Sequence, residues 1–209
     1  MSVFLLRGFF YFLAAVGLGL LFTNEPHLAR DWRPFTEYGY VQIKQAALLL
    51  AASLLLFVKA RLDNTLRQLA VSLALFILIL FIRENDQPIE LVLPHGSWKY
   101  VALPVVIMLL AYLWKNFGQV REQLLEWSRS FSYGVMLTGF TVLVFARFFG
   151  HGELWEHLMG DQFISKVKYA AEEGVELLAL GLIFVAAVEF LLYHRSERPE
   201  PDAPVNRSD

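Results

Sequence analysis

The sequence predicts an all-α membrane protein, a bundle of six transmembrane helices, on three observations. Hydrophobic residues make up 56% of the 209 positions, with 18 Phe and only 18% charged residues, and mean hydropathy is +0.47. A soluble domain of that length buries less apolar surface, so lipid is the natural solvent for the excess. The apolar residues fall into six runs near 3–22, 41–59, 67–86, 99–116, 131–149 and 170–193, each close to the ~20 residues that cross a hydrocarbon core as a helix. Ionisable residues gather at the ends of these runs. Residues 1–195 are read as one six-span domain, and the tail 196–209, rich in Pro, Asp and Arg, as disordered.

The first run carries Arg7 ahead of its apolar stretch, a pattern shared with signal peptides; GLGLLFTNEP has no A-x-A-like cleavage site, so the run is read as a retained span. In the second, Ala46 to Val58 is too short to cross alone, and the helix must recruit Gln45, Lys44 and Gln42. The third has the same shortfall. Its apolar stretch, Leu69 to Ile82, requires the helix to continue through Arg83 and Glu84 at the membrane edge. The fourth begins at Trp98, Lys99 and Tyr100, with Pro104 in its first turns. QVREQLLEWSRSF, residues 119–131, then sets Val120, Leu124, Leu125 and Trp127 against charges and reads as a short helix on the membrane surface, or as a polar loop. The fifth run ends in FARFFGHG, with Arg147 in its last turn, and the sixth rests on GVELLALGLIFVAAVEFLLY. Small residues in AALLLAAS suit close helix packing, and the five Trp suit interfacial belts.

An even number of spans puts both termini on one side, and that side holds ten of the 18 basic residues. Cytoplasmic loops carry the basic excess, so both termini are expected inside. With no cysteine, thiolate metal sites, disulfides and cysteine nucleophiles are excluded. A net charge of −2 gives no sign of a nucleic-acid partner.

Charge at membrane depth is costly, and such residues usually face the bundle interior and pair with one another. The outer ends of the third, fifth and sixth spans bring Arg83, Glu84, Asp86, Arg147, Glu172, Glu173 and Glu176 to similar depth, which makes them the candidates for a pocket. Tyr169, Glu172, Glu173 and Glu176 recur at three- and four-residue intervals and are expected on one helix face. Lys168 is placed to pair locally with Glu172. Glu176 is deepest and has no basic residue within four positions, so its partner should come from another helix, with Arg147 and Arg83 as candidates. The bland alternative is that acids favour a helix start and reach water from the membrane edge. Glu189, near His194 and Arg195, reads as reaching the opposite edge.

Histidines His27, His95, His151 and His157 could in principle join Glu172, Glu173 or Asp86 around a metal. None stands in a spacing such as H-E-x-x-H, so no metal or other cofactor is expected. RENDQ after an apolar helix, with RFFGHGELW and KYAAEEGVEL farther on, resembles small multi-span bacterial inner-membrane proteins of uncharacterised molecular function; the resemblance implies location and architecture and carries no activity. The Ser, Asp and H-x-x-x-H pattern of alkaline ceramidase-like membrane hydrolases is not matched. The leading expectation is an outward-facing charged pocket that binds a lipid headgroup, small ion or membrane-protein partner. The alternatives are a proton- or ion-coupled transporter and a metal-dependent intramembrane hydrolase or transferase.

Overall fold

Every regular element among the described residues is helical. The structure, a computed structural model, describes residues 3–23, 40–90 and 92–193; His27, Arg30, Trp32, Arg33 and the tail 196–209 lie outside them. In chain order the helices are α1 (Val3–Thr23), α2 (Tyr40–Leu62), α3 (Arg67–Glu84), the short α4 (Asp86–Glu90), α5 (Trp98–Trp127), α6 (Phe131–Phe149), α7 (Gly152–Met159), a 3₁₀ turn (Gly160–Gln162) and α8 (Ser165–Leu192).

Five of them, α1, α2, α5, α6 and α8, are long and apolar enough to cross a membrane. The expected third span forms α3 but is not among the five. Its 18 residues include Arg67, Arg83 and Glu84, and Asn85 ends it, with Nδ2 donating to the Phe81 carbonyl at 2.7 Å.

The expected surface helix at 119–131 does not stand apart. It continues the fourth span as the distal half of α5, after a kink at Asn116 (φ −116°, ψ 20°). One face of that half turns into the bundle, where Val120, Gln123 and Trp127 are buried, while Leu124 and Leu125 stay exposed. Trp127 is therefore a core residue and no interfacial anchor: its Nε1 donates to Ser132 Oγ at 2.6 Å, and its ring meets Tyr133 and Phe190 edge-on. Gln123 completes α3 from outside. Its Oε1 accepts from the Leu69 N–H at 2.8 Å and its Nε2 donates to Gln68 Oε1 at 2.8 Å, satisfying one of the N–H groups that a helix start leaves without an internal partner.

Helix α8 is the centre of the packing. It lies most extensively against α6, then against α2, and it also supports α1; α2 in turn packs on α3, and α3 on α5. Small residues allow the close approaches. A Cβ added to Gly139 of α6 would stand 2.8 Å from Ile183 Cγ1 and 3.2 Å from the Ala179 carbonyl of α8. The AALLLAAS segment contributes Ala52 and Ser53 to the α2–α3 contact, where Ser53 Oγ donates to the Ala74 carbonyl at 3.0 Å. Leu56, Ile77, Met136, Ile183 and Phe190 fill the shared core.

Candidate functional site

Arg147, Glu172 and Glu176 meet where α6 ends and α8 enters the bundle. Arg147 lies in the last turn of α6, where a cation is favoured by the helix dipole. Glu172 and Glu176 are one turn apart on α8, so both reach the same guanidinium. Arg147 Nη2 is 2.5 Å from Glu176 Oε1, and Nη1 is 3.8 Å from Glu172 Oε1. Glu176 is only 5% exposed, whereas the arginine side chain is 42% exposed, so the arginine bridges interior and surface. The contact to Glu176 Oε1 falls outside hydrogen-bond geometry, and that buried oxygen has no aligned donor. Gly150 makes room for the pair, since a Cβ there would collide with the Glu172 carboxylate.

Glu173 leaves that face. Its carboxylate Oε2 accepts from Gln45 Nε2 of α2 at 2.8 Å, because adjacent helical residues diverge by about 100°. The expectation of one shared face thus holds for Glu172 and Glu176 only. Gln45 is 0% exposed and its Oε1 is buried without a hydrogen-bond partner. Gln42 reaches α3, donating from Nε2 to the Glu84 carbonyl at 3.0 Å. The Glu84 carboxylate lies within electrostatic range of Arg83 foremost, then of Arg147, Asp86 and Glu172, and Glu176 in turn feels Arg147, Glu84, Glu173 and Glu172.

Of the two arginines expected at this depth, only Arg147 joins the glutamates. Arg83 is exposed and, among the described residues, forms no ion pair with them. The local Lys168–Glu172 pair is not formed either; Lys168 Nζ stands over the Tyr169 ring, 4.8 Å from its centroid. Asp86 opens α4 at the edge of the cluster. None of the described histidines pairs with these carboxylates. His95 Nδ1 lies 2.6 Å from Glu90 Oε2, His151 Nδ1 lies 3.0 Å from the Arg147 carbonyl, and His157 Nδ1 lies 2.7 Å from the Glu153 carbonyl. Among the described residues no three His, Asp or Glu are placed to hold a metal ion.

Sequence reasoning missed Gln45. Its signal was present, since a glutamine within a membrane helix needs a polar partner, but only the packing of α2 on α8 shows which one. The arrangement gathers the three carboxylates of α8 around one guanidinium, with Glu84 near it and Arg83, and leaves Glu176 Oε1 and the amide oxygen of Gln45 buried without aligned donors. Chemically it can hold a positive charge or pass protons among its carboxylates. Comparison with protein-family models, curated proteins and solved structures finds no match.

Proposed function

We propose that this chain is a multi-pass protein of a bacterial inner membrane whose carboxylate cluster binds a positively charged organic group, the amine of a headgroup. The observation that carries this reading is the charge imbalance: Glu172, Glu173 and Glu176 share Arg147, with Glu84 and Asp86 beside them and only Arg83 as a second cation near Glu84, while Gln45 Oε1 and Glu176 Oε1 are buried acceptors without aligned donors. Buried negative charge without compensation is strongly unfavourable, and all these atoms accept rather than donate. A cation supplies what they have in common.

Six spans with both ends cytoplasmic form part of the same proposal. The basic-residue count supports it, as does the length of α3, whose 18 residues rise about 27 Å at ~1.5 Å each, near the ~30 Å hydrocarbon thickness. The cluster then faces outward. Coupled transport is the weaker reading, because α8 runs unbroken from Ser165 to Leu192 and offers none of the interrupted helix ends that carriers use to hold their ions.

The test is thermal stability of the detergent-purified protein in Na⁺, K⁺, Mg²⁺, Ca²⁺ or ethanolamine, against N-methylglucamine at matched ionic strength. Ethanolamine, beyond the metal ions, should raise the melting temperature of the wild type and not that of Glu176→Gln. A melting temperature that follows ionic strength alone would overturn the reading.

A further inference from the structure

At the opposite end of the bundle, a polar pocket and an apolar groove adjoin between α1, α6 and α8. The pocket, about 240 Å³, is lined by Arg7, Ser130, Ser132 and Glu189 together with Phe131 and Tyr193. The groove, about 230 Å³, runs past Ala14, Leu18, Val135 and Gly181. Phe131 belongs to both, and it stacks on Tyr11 with ring centroids 5.5 Å apart at the junction. Together the two spaces reach the size of a ligand cleft, ~300–1,000 Å³. The opening exists because α1 packs chiefly on α8 and leaves α6 largely uncovered on that side.

The lining is amphipathic along its length. Arg7 Nη1 stands 3.5 Å from Glu189 Oε2, with the carboxylate side chain 12% exposed and the arginine 43%. One charge of each sign therefore faces the pocket, and the pair is too loose to satisfy either group fully. The Tyr11 hydroxyl, close enough to Glu189 to interact with it, is buried without an aligned hydrogen bond. Beyond Tyr11 the lining is aliphatic. A polar chamber holding both signs of charge, continued by an apolar channel, matches a zwitterionic phospholipid.

We propose that this cleft binds a phosphoethanolamine-headed phospholipid: its phosphate against Arg7, its ammonium against Glu189, and one acyl chain along the groove past Ala14 and Gly181. Ethanolamine is favoured over choline because a primary ammonium donates hydrogen bonds to the Glu189 carboxylate and a quaternary one does not. A phosphoglycerol headgroup offers Glu189 no cation. The site lies at the other end of the bundle from the carboxylate cluster, and the two proposals stand independently.

The test measures lipid retention by native mass spectrometry on delipidated, detergent-purified full-length protein, titrated with phosphatidylethanolamine, phosphatidylcholine, phosphatidylglycerol or the soluble headgroup glycerophosphoethanolamine. Phosphatidylethanolamine should bind roughly tenfold tighter than the other two lipids, the scale of one charge-assisted contact, and the soluble headgroup should bind far more weakly. Glu189→Gln, nearly isosteric, should erase the preference. Ala14→Phe from α1 and Leu178→Phe from α8 should each weaken binding of phosphatidylethanolamine by filling the groove from opposite walls. Equal affinities for the three lipids, a preference unchanged in Glu189→Gln, or a soluble headgroup that binds as tightly as the lipid would each overturn the proposal.

Discussion

Two polar networks in the bundle handle burial in opposite ways. At the end formed by Lys59, Gln123 and Trp127, donors and acceptors close on one another. Lys59, 2% exposed, pairs with Asp63 Oδ2 at 2.9 Å, donates to the Tyr193 carbonyl that ends α8, and sits over the Phe190 ring. Gln123 uses both ends of its amide. At the carboxylate end, Glu172, Glu173 and Glu176 face one arginine, Glu84 lies near that arginine and Arg83, and two buried oxygens have no aligned donor. A closed network fixes helices in place. An open one with an excess of one sign retains capacity for a ligand.

The largest expected effect comes from Arg147. Arg147→Gln leaves Glu172 and Glu176 facing each other without a cation and should destabilise by about 2–3 kcal/mol, below the ~3–5 for breaking a fully buried pair from one side, because the arginine side chain is 42% exposed. Glu173→Gln should lie within about 1 kcal/mol of wild type, because the new amide oxygen still accepts from Gln45. Denaturant or thermal unfolding of both variants in one detergent checks the ordering. Equal losses would mean that Arg147 is a surface residue reaching water.

Lys59→Met tests the closed end. The change removes the partner of Asp63 and of the Tyr193 carbonyl while keeping the stem volume. The loss should be about 2 kcal/mol, below the ~3–5 of a fully buried pair, because Asp63 keeps some access to water. Unlike the Arg147 variant, it should leave any cation-dependent stabilisation intact, read as an unchanged melting-temperature increment on adding the cation. A lost increment would break the separation of the two ends.

The smallest effect is a pH response outside the spans. The Gly96 N–H foremost, at 2.6 Å, and the His95 ring beside it hold the Glu90 carboxyl below the usual carboxylate range. At the other end burial alone would raise Asp63, but hydrogen bonds from Thr65 and Lys59 outweigh it and hold Asp63 low as well. A depressed carboxyl contributes its stability above the ordinary value and loses it as pH falls through the folded one. The Gly96 amide resonance should therefore titrate with a midpoint below the ordinary Glu value of 4.5. A midpoint at or above 4.5 would show that the Glu90 turn is not formed.

Helix positions were legible because apolar run length and breaker residues act locally. The runs gave α1, α2 and α6 to within a few residues, whereas α8 begins at Ser165 rather than 170, since nothing in KVKYA opposes a helix. The distal half of α5 misled because an amphipathic segment looks the same whether its apolar face meets lipid or protein. The Arg147–Glu176 contact was foreseeable from depth and sign. The divergence of Glu173 toward Gln45 was not, because spacing on one helix leaves its rotation within the bundle undetermined.

The cap that Gln123 places on α3 bears on how the chain is made. The helix start at Leu69 leaves the ribosome well before residue 123, which lies 54 positions later, and chains are synthesised at about 5–20 residues per second. Helix α3, with Arg67, Arg83 and Glu84 along its length, therefore spends the first seconds of its existence without its partner. Its packing is completed jointly with α5, as a pair, once the later helix arrives.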